Sequence, residues 1–525
     1  MFDTSWTGNR AQCAPPRRRV MGRATRAQVL MAMLLLAAPG WGADNAGLSP
    51  QLWERVRAAE AAPINLQPTP SPQAPAKLSL KDCLTLAFGH SSDYRTDQAQ
   101  LLAAQRGFWV ADQRLFYTAT GEATRQRAPG GLPETSLLAA LAARWEALNG
   151  GAFGAAVATG SQEVLSGFFT QRPSIALSYE QPLLRGAGLA SSTAERLRRA
   201  DTALASQQLS FYDGRQNLAQ SIIEDYAAVL LAKGEIDISQ RSVDRAKTFY
   251  DMNYAKFSGE GLKQPGEEWV SQVAEIDVDQ ARLSWETAKQ SVIRSQQAYR
   301  DAMDRLLLDM GFLPGSTPEL STTLPYSPQA YDEAALVQTA LANSTELGRL
   351  QLSWQNAEAA LRIARSEDRP DLIASLTLTD LGDTLGGQTV STGWFGGVRA
   401  EAPLLDRSRA EDVAGAERDL KVLVQRITAT RDQVTQEVQR QVRASGSAQA
   451  RITIGEQSVK LAQKSRDAAQ GMYEEGLNDY LRVLDADNRL VEAERSLLQE
   501  QVGYFLTTIQ VQRALGEDIT QGLPE

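Results

Sequence analysis

Ser192-Thr-Ala-Glu195 opens a stretch of the chain that is written a second time 216 positions later, from Ser408-Arg-Ala-Glu411. Both tetrads read as Ser-x-x-Glu capping boxes, which satisfy the orphan backbone N–H groups at a helix start. After the first, Leu197, Leu204, Phe211 and Leu218 recur every seven residues; after the second, Val413, Leu420, Ile427 and Val434 do the same. The seam then shifts by four in both copies. It continues as Ile222, Val229, Ile236, Val243, Tyr250 and Phe257 in the first, and more weakly as Val438, Ser445, Ile452, Val459, Arg466 and Tyr473 in the second. This is the coiled-coil period, and neither segment contains a proline. Each copy predicts an outbound helix of roughly 70 residues, about 100 Å long at 1.5 Å rise per residue.

Each copy then reaches Glu-Gly-Leu, at Glu260-Gly261-Leu262 and at Glu475-Gly476-Leu477, where glycine can turn the chain. A second helix-patterned stretch follows, to Leu308-Asp-Met-Gly311 or to Arg513-Ala-Leu-Gly516. Each copy is therefore a helical hairpin that cannot bury both of its faces alone. Upstream lies another duplication, at an offset of 253, pairing Ala87 to Tyr94 with Ala340 to Leu347. It sets His90 against Asn343, which makes His90 a helix-end residue rather than a catalyst.

Between these helices the apolar period falls to two. Leu115, Tyr117, Ala119, Gly121 and Ala123 alternate with Phe116, Thr118, Thr120, Glu122 and Thr124. Leu372, Ala374, Leu376 and Leu378 alternate with Ile373, Ser375, Thr377 and Thr379, and shorter alternations run from Ile175 to Glu180 and from Trp394 to Glu401. The pattern fits either an outer-membrane strand or a half-buried soluble strand. Four strands, two per repeat, cannot close a barrel, and an open sheet edge does not survive in lipid. If these strands span a membrane, several chains must share one barrel. Residues 126–172 break the symmetry with Pro129-Gly130-Gly131, a short helical pattern near 136–148, and Gly150-Gly151. They read as a surface loop, with or without one extra strand.

Composition narrows the chemistry. The 525 residues hold one His and two Cys, too few for a zinc site or a disulfide framework, so neither a metal nor another cofactor is expected. A net charge of −9 argues against nucleic acid as a partner. Arg17, Arg18, Arg19, Arg23 and Arg26 precede the apolar run Val29 to Ala38 and the small-residue zone Pro39 to Ala43, the signature of a secretory signal peptide. Met21 is an alternative start. Cleavage would remove Cys13 and leave Cys83 among Leu80, Leu84 and Ala87, as a buried structural thiol. Beyond position 43 the apolar residues are interrupted too often for a transmembrane helix. The expected division is a signal segment 1–43, a proline-rich linker 44–77, a first repeat 78–320 of helix, two strands and long hairpin, a second repeat 321–516, and a tail 517–525. The ordered body should begin near Leu78.

With these features assembled, the chain resembles the TolC-like outer-membrane factor family, the exit ducts of Gram-negative efflux pumps and type I secretion systems. The resemblance covers nearly all of residues 78–516. Its strongest marks are Gln181-Pro-Leu-Leu-Arg-Gly-Ala-Gly188 after a strand, Ala402-Pro-Leu-Leu-Asp-Arg-Ser408 at the equivalent place, and the paired Gly-Leu tips. It implies a fold of long coiled-coil hairpins forming a periplasmic α-barrel, with four strands per chain in a trimeric, twelve-stranded outer-membrane β-barrel. It also implies passive conduction rather than an enzyme, with a periplasmic adaptor, an inner-membrane transporter and outer-membrane lipid as partners.

Two sets of positions carry over from the family. The tips Gly261, Leu262, Gly476 and Leu477 match its adaptor-contacting turns, and equally match plain hairpin turns. The periplasmic gate would involve Tyr473, Arg482 and Asp485, with Glu267 or Glu268 near the corresponding place in the first copy. The family pattern puts two acids on the inbound helix. Here Gly476-Leu-Asn-Asp-Tyr-Leu-Arg482-Val-Leu-Asp485 keeps the second and places Arg482 at the first. Asp485 could lend the mouth a negative, cation-favouring potential, or pair with Arg482 along the helix. The competing reading is a periplasmic coiled-coil scaffold without a pore, for which the strand alternation has no use. An enzyme has less support still, because no Gly-x-Ser-x-Gly elbow, P-loop or His-centred constellation occurs.

Overall fold

The heptad seams become two helices of nearly equal length, of 67 and 68 residues. All twenty seam residues named above are buried or half-buried, including the weaker second set. The computed structural model describes residues 54–57, 77–127, 133–164, 167–170, 174–258, 273–320, 328–329, 331–381, 391–402, 407–475, 477 and 479–520, all within one unit, Gly47–Glu525.

In chain order these residues form β1 (Lys77–Leu78), α1 (Leu80–His90), α2 (Ser92–Ala111), β2 (Leu115–Arg127), β3 (Pro133–Glu146), β4 (Ala152–Val164), β5 (Gly167–Thr170) and β6 (Ser174–Pro182). A 3-10 turn at Gly188–Ala190 leads into α3 (Ser192–Ser258) and α4 (Glu275–Asp309). The second repeat supplies β7 (Glu319–Leu320), α5 (Glu333–Asn343), α6 (Thr345–Glu367), β8 (Asp371–Leu381), β9 (Ser391–Glu401), α7 (Arg407–Glu474) and α8 (Tyr480–Ala514).

The helices pack side by side. Near the sheet α2 lies on α3, α3 on α6, and α6 on α7; in the other half α4 lies on α3, α3 on α8, and α8 on α7. The largest core sits where these halves meet. Ile222, Ile223 and Tyr226 of α3, Met303, Leu306 and Leu307 of α4, and Val502, Phe505 and Ile509 of α8 close over Leu80 and Cys83 of α1. Full burial of each large aliphatic side chain stabilises this junction by about 1.5–3 kcal/mol. Desolvation there pushes the Cys83 thiol up to about 12, which makes it an inert filler rather than a nucleophile.

The duplication is visible at the helix ends. Gly311 and Gly516 both adopt positive φ just after the long hairpins, and Phe312 and Glu517 donate back to Leu307 O and Gln512 O. A Cβ at Gly311 would lie 2.6 Å from His90 O, and one at Gly516 would lie 2.6 Å from Asn343 O. His90 and Asn343 are the last residues of α1 and α5, the helix-end role that their alignment implied.

The four expected strands are present as β2, β6, β8 and β9, and three local expectations are corrected. Residues 133–146 form a strand, not a helix; their Leu/Ala composition favours helix, but pairing with β2 on one side and β4 on the other overrides it. The first long helix is capped by Ser191, whose Oγ accepts from Ala194 N at 3.2 Å, while Glu195 turns to Arg198 and Arg199. Ser408 likewise lies inside the first turn of α7, with Glu411 bonded to Arg418. Order also begins before Leu78, since Val56 is buried against Tyr94, Leu101 and Leu209.

Candidate functional site

At the far end of the helices, α3 and α7 finish together and α4 and α8 begin. Phe249 of α3 inserts between two tyrosines of the second repeat, with ring centroids 4.9 Å from Tyr473 and 5.1 Å from Tyr480. Ala281 of α4 and Val483 of α8 complete this buried cluster. The Tyr473 hydroxyl donates to Asn253 Oδ1 at 2.5 Å, and Lys256 lies 5.4 Å from the Tyr473 ring centroid. Burial first, then the charge of Asp277, pushes the Tyr473 hydroxyl up to about 12, so it remains a donor. The ends of the two outbound helices are thus fastened to each other within one chain.

Farther along the inbound helices, Arg245 Nε of α3 meets Asp487 Oδ1 of α8 at 2.6 Å in a largely buried pair. Arg495 of α8 reaches Ser291 of α4 at 3.1 Å, and the Trp285 ring stacks on Tyr250 and lies beneath the Lys289 ammonium. The Arg245–Asp487 and Arg495–Ser291 contacts join the first hairpin to the second beyond the tip cluster, and the Trp285–Tyr250 stack ties α4 to α3 within the first.

Among the expected site residues, Tyr473 is at the centre of the cluster. Leu477 is exposed, and its N–H closes the turn onto Met472 O at 2.8 Å. Arg482 lies exposed in the first turn of α8, its N–H bonded to Asp479 O. Asp485 pairs with Arg489 one turn onward at 2.8 Å, rather than with Arg482. Gly261, Leu262, Glu267, Glu268 and Gly476 lie outside the described residues. Asn253, Arg245 and Asp487 were not singled out from the sequence. The available signal for Asn253 was an amide three positions after the seam residue Tyr250, an uncommon place for a fully buried polar group.

The other functional surface is the sheet. Its order is β2-β3-β4-β6-β8-β9, antiparallel throughout, with β5 against the end of β4. Cross-strand partners share a face, so the register sorts the side chains. Leu115, Tyr117, Leu141, Phe153, Val157, Ile175, Leu177, Leu376, Leu378, Trp394 and Val398 are exposed on one face; of the exposed large apolar residues in the described sheet, Phe395 alone is on the other. Thr118, Thr120, Glu122, Ser178, Ser375 and Thr377 belong to that second face. Such a sheet has one exposed apolar face and a second face of small and polar residues, as the wall of a membrane barrel does.

Among the described residues no cluster of metal-binding side chains occurs, and no helix is long and apolar enough to cross a membrane.

Comparison with known proteins agrees with this geometry. Residues 336–517 match the family model described as outer membrane efflux protein. Two curated proteins of Pseudomonas putida, the solvent efflux pump outer membrane protein SrpC and the toluene efflux pump outer membrane protein TtgI, are each 25% identical over 260 residues. That match takes in 47% of this chain and 53% of each relative, about half the length of the curated proteins. Among solved structures, the outer membrane protein VceC of Vibrio cholerae superposes with a TM-score of 0.61 at 18% identity, covering 84% of this chain and 96% of that one. The open-state MtrE outer membrane channel of Neisseria gonorrhoeae gives 0.61 at 13% identity, over 83% and 89%.

Proposed function

From a chain with the TolC-like outer-membrane factor fold, whose residues 336–517 carry the outer membrane efflux protein signature, we propose an exit duct of a tripartite efflux pump or type I secretion system. It lies in the outer membrane, extends into the periplasm and conducts substrate passively.

The observation that carries this reading is the pair of unfinished edges on the single chain. One side of the protomer ends in β2, α2 and α4, and the other in β9 and α7. On the outer helices, Ile276, Leu283 and Ile293 of α4 and Ile454 and Leu461 of α7 are exposed, whereas α3 and α8 expose only Tyr254 and Leu481 among large apolar residues. Unpaired strand edges and apolar helix edges on opposite sides are what a head-to-tail ring requires. Three copies closing edge to edge form a β-barrel in lipid continuous with a helical tunnel.

Within that trimer the tip residues Gly261, Leu262, Gly476 and Leu477 meet a periplasmic adaptor. Arg482 and Asp485, with Glu267 or Glu268, line the periplasmic gate, and Tyr473 belongs to that gate by fastening it from the buried tip cluster. The two P. putida relatives, outer membrane proteins of a solvent and a toluene efflux pump, support the efflux half of the reading over polypeptide secretion. The test is the mass of the protein part of the detergent-solubilised particle from the outer-membrane fraction, measured by light scattering. A trimer that also conducts ions in planar bilayers is expected; a monomer or dimer in the soluble fraction would replace the duct by the scaffold.

A further inference from the structure

The β3–β4 hairpin, with the short β5 at its end, is the part of the sheet that the two-strands-per-repeat pattern does not supply. It is nonetheless paired to a neighbour on both sides. Strand β3 pairs with β2 from Leu115↔Trp145 to Arg127↔Pro133, and β4 pairs with β6 from Ala152↔Glu180 to Ala158↔Ser174. At 14 and 13 residues, both strands exceed the roughly 9–11 residues that a tilted membrane strand needs.

Two further observations place it in the wall. Its exposed apolar residues Leu141, Phe153 and Val157 are on the same face as Tyr117 of β2 and Ile175 and Leu177 of β6, so the apolar surface runs unbroken across the insertion. At the end nearest the helices, Trp145, Phe153 and Tyr179 form a row with centroid spacings of 5.6 and 4.3 Å, like the aromatic girdle at a membrane interface. The opposite face of the hairpin carries Ala140, Ala142, Gly154, Ala156 and Ala158, which leave the interior open.

The turn between the two strands is built into the helix head. Ser191 Oγ donates to Leu148 O at 2.6 Å, Gly188 N to Asn149 O at 3.0 Å, and Thr193 Oγ1 to the Glu146 carboxylate at 3.1 Å. β3 therefore ends and β4 begins at the same level as the junctions of β2 with α2 and of β6 with α3.

Widths agree as well. Four helices abreast at up to about 10 Å each span about 40 Å of circumference per protomer. Six strands at about 4.8 Å spacing and about 40° tilt span about 38 Å, whereas four span only about 25 Å.

Resting on the duct reading, we infer that the β3–β4 hairpin is a membrane-spanning segment in contact with lipid acyl chains. Each protomer then contributes six strands, and a trimer closes an eighteen-stranded pore, about 1.5 times the width of a twelve-stranded one.

The test uses full-length trimers carrying Cys83→Ser and one new cysteine each, labelled with bimane and reconstituted with or without brominated phosphatidylcholine. Val157→Cys of β4 and the reference Leu177→Cys of β6 should lose at least half of their fluorescence to brominated lipid, and Ala156→Cys should not. Quenching at 177 without quenching at 157, with aqueous iodide quenching 157 instead, would overturn the hairpin assignment and leave the duct intact. No lipid quenching at either position would overturn both. A strand count from images of the unmodified trimer decides the matter independently of any variant: eighteen supports the inference and twelve ends it.

Discussion

Tyr473 shows how much one side chain holds at the tip. Its hydroxyl binds the buried Asn253, and its ring packs on Phe249, so a single residue of the second repeat anchors the end of the first. A net hydrogen bond contributes about 1 kcal/mol, and that amount changes an equilibrium about fivefold. Tyr473→Phe keeps the ring and removes the bond; it is expected to raise the open fraction of the duct about fivefold in bilayer recordings. An unchanged open fraction would make Tyr473 a packing residue only.

Asp225 of α3 is half-buried beside Asp309 of α4, and burial, followed by the charge of Asp309, pushes its carboxyl up to about 7. Its folded value is above the unfolded one, so the folded state holds a proton that the unfolded chain has already released. Its contribution is fully present below the ordinary carboxylate range and is lost as pH rises towards about 7. The thermal midpoint should therefore fall between about pH 4 and about pH 7 in the natural protein and fall less in Asp225→Asn. Equal slopes for the two proteins would remove Asp225 from the account.

At the scale of elements, the repeated glycine after each long hairpin is the sharpest constraint. Gly311 and Gly516 combine a left-handed backbone with a carbonyl 2.6 Å from where a Cβ would stand. Gly311→Ala and Gly516→Ala are each expected to destabilise the helix junction by about 1–3 kcal/mol, before any additional cost of displacing the α1 or α5 terminus. Differential scanning calorimetry of the solubilised particle reads this directly, and a midpoint unchanged by both substitutions would contradict the geometry. The strand β3 teaches the converse lesson. Residues 137–146 are rich in Leu and Ala, and they become strand because both of their edges are occupied by neighbouring strands.

For the whole molecule, assembly depends on the outer helices. Leu283 of α4 and Leu461 of α7 are 68% and 66% exposed on the single chain, opposite the faces these helices bury internally. Leu283→Arg or Leu461→Arg places a charge where the ring closes, and either is expected to convert the trimer into monomers in light scattering while leaving helical content unchanged. A trimer that persists in both variants would move the subunit contact elsewhere.

The long helices, their duplication, the four strands of the two repeats and the helix-end role of His90 are all readable from the amino-acid order alone. These are periodic or repeated features, and a period is a local property that each residue carries with its neighbours. The tip was legible at Tyr473, which the structure places in the buried cluster there. Its partners were not, because Asn253 is 220 positions from Tyr473 and Arg245 is 242 positions from Asp487. Those pairings, the capping of α3 by Ser191, and the conversion of 133–146 from a helical pattern into a strand emerge only in the folded chain. In each case the outcome depends on which distant segment fills the neighbouring space, and a one-dimensional pattern does not contain that information.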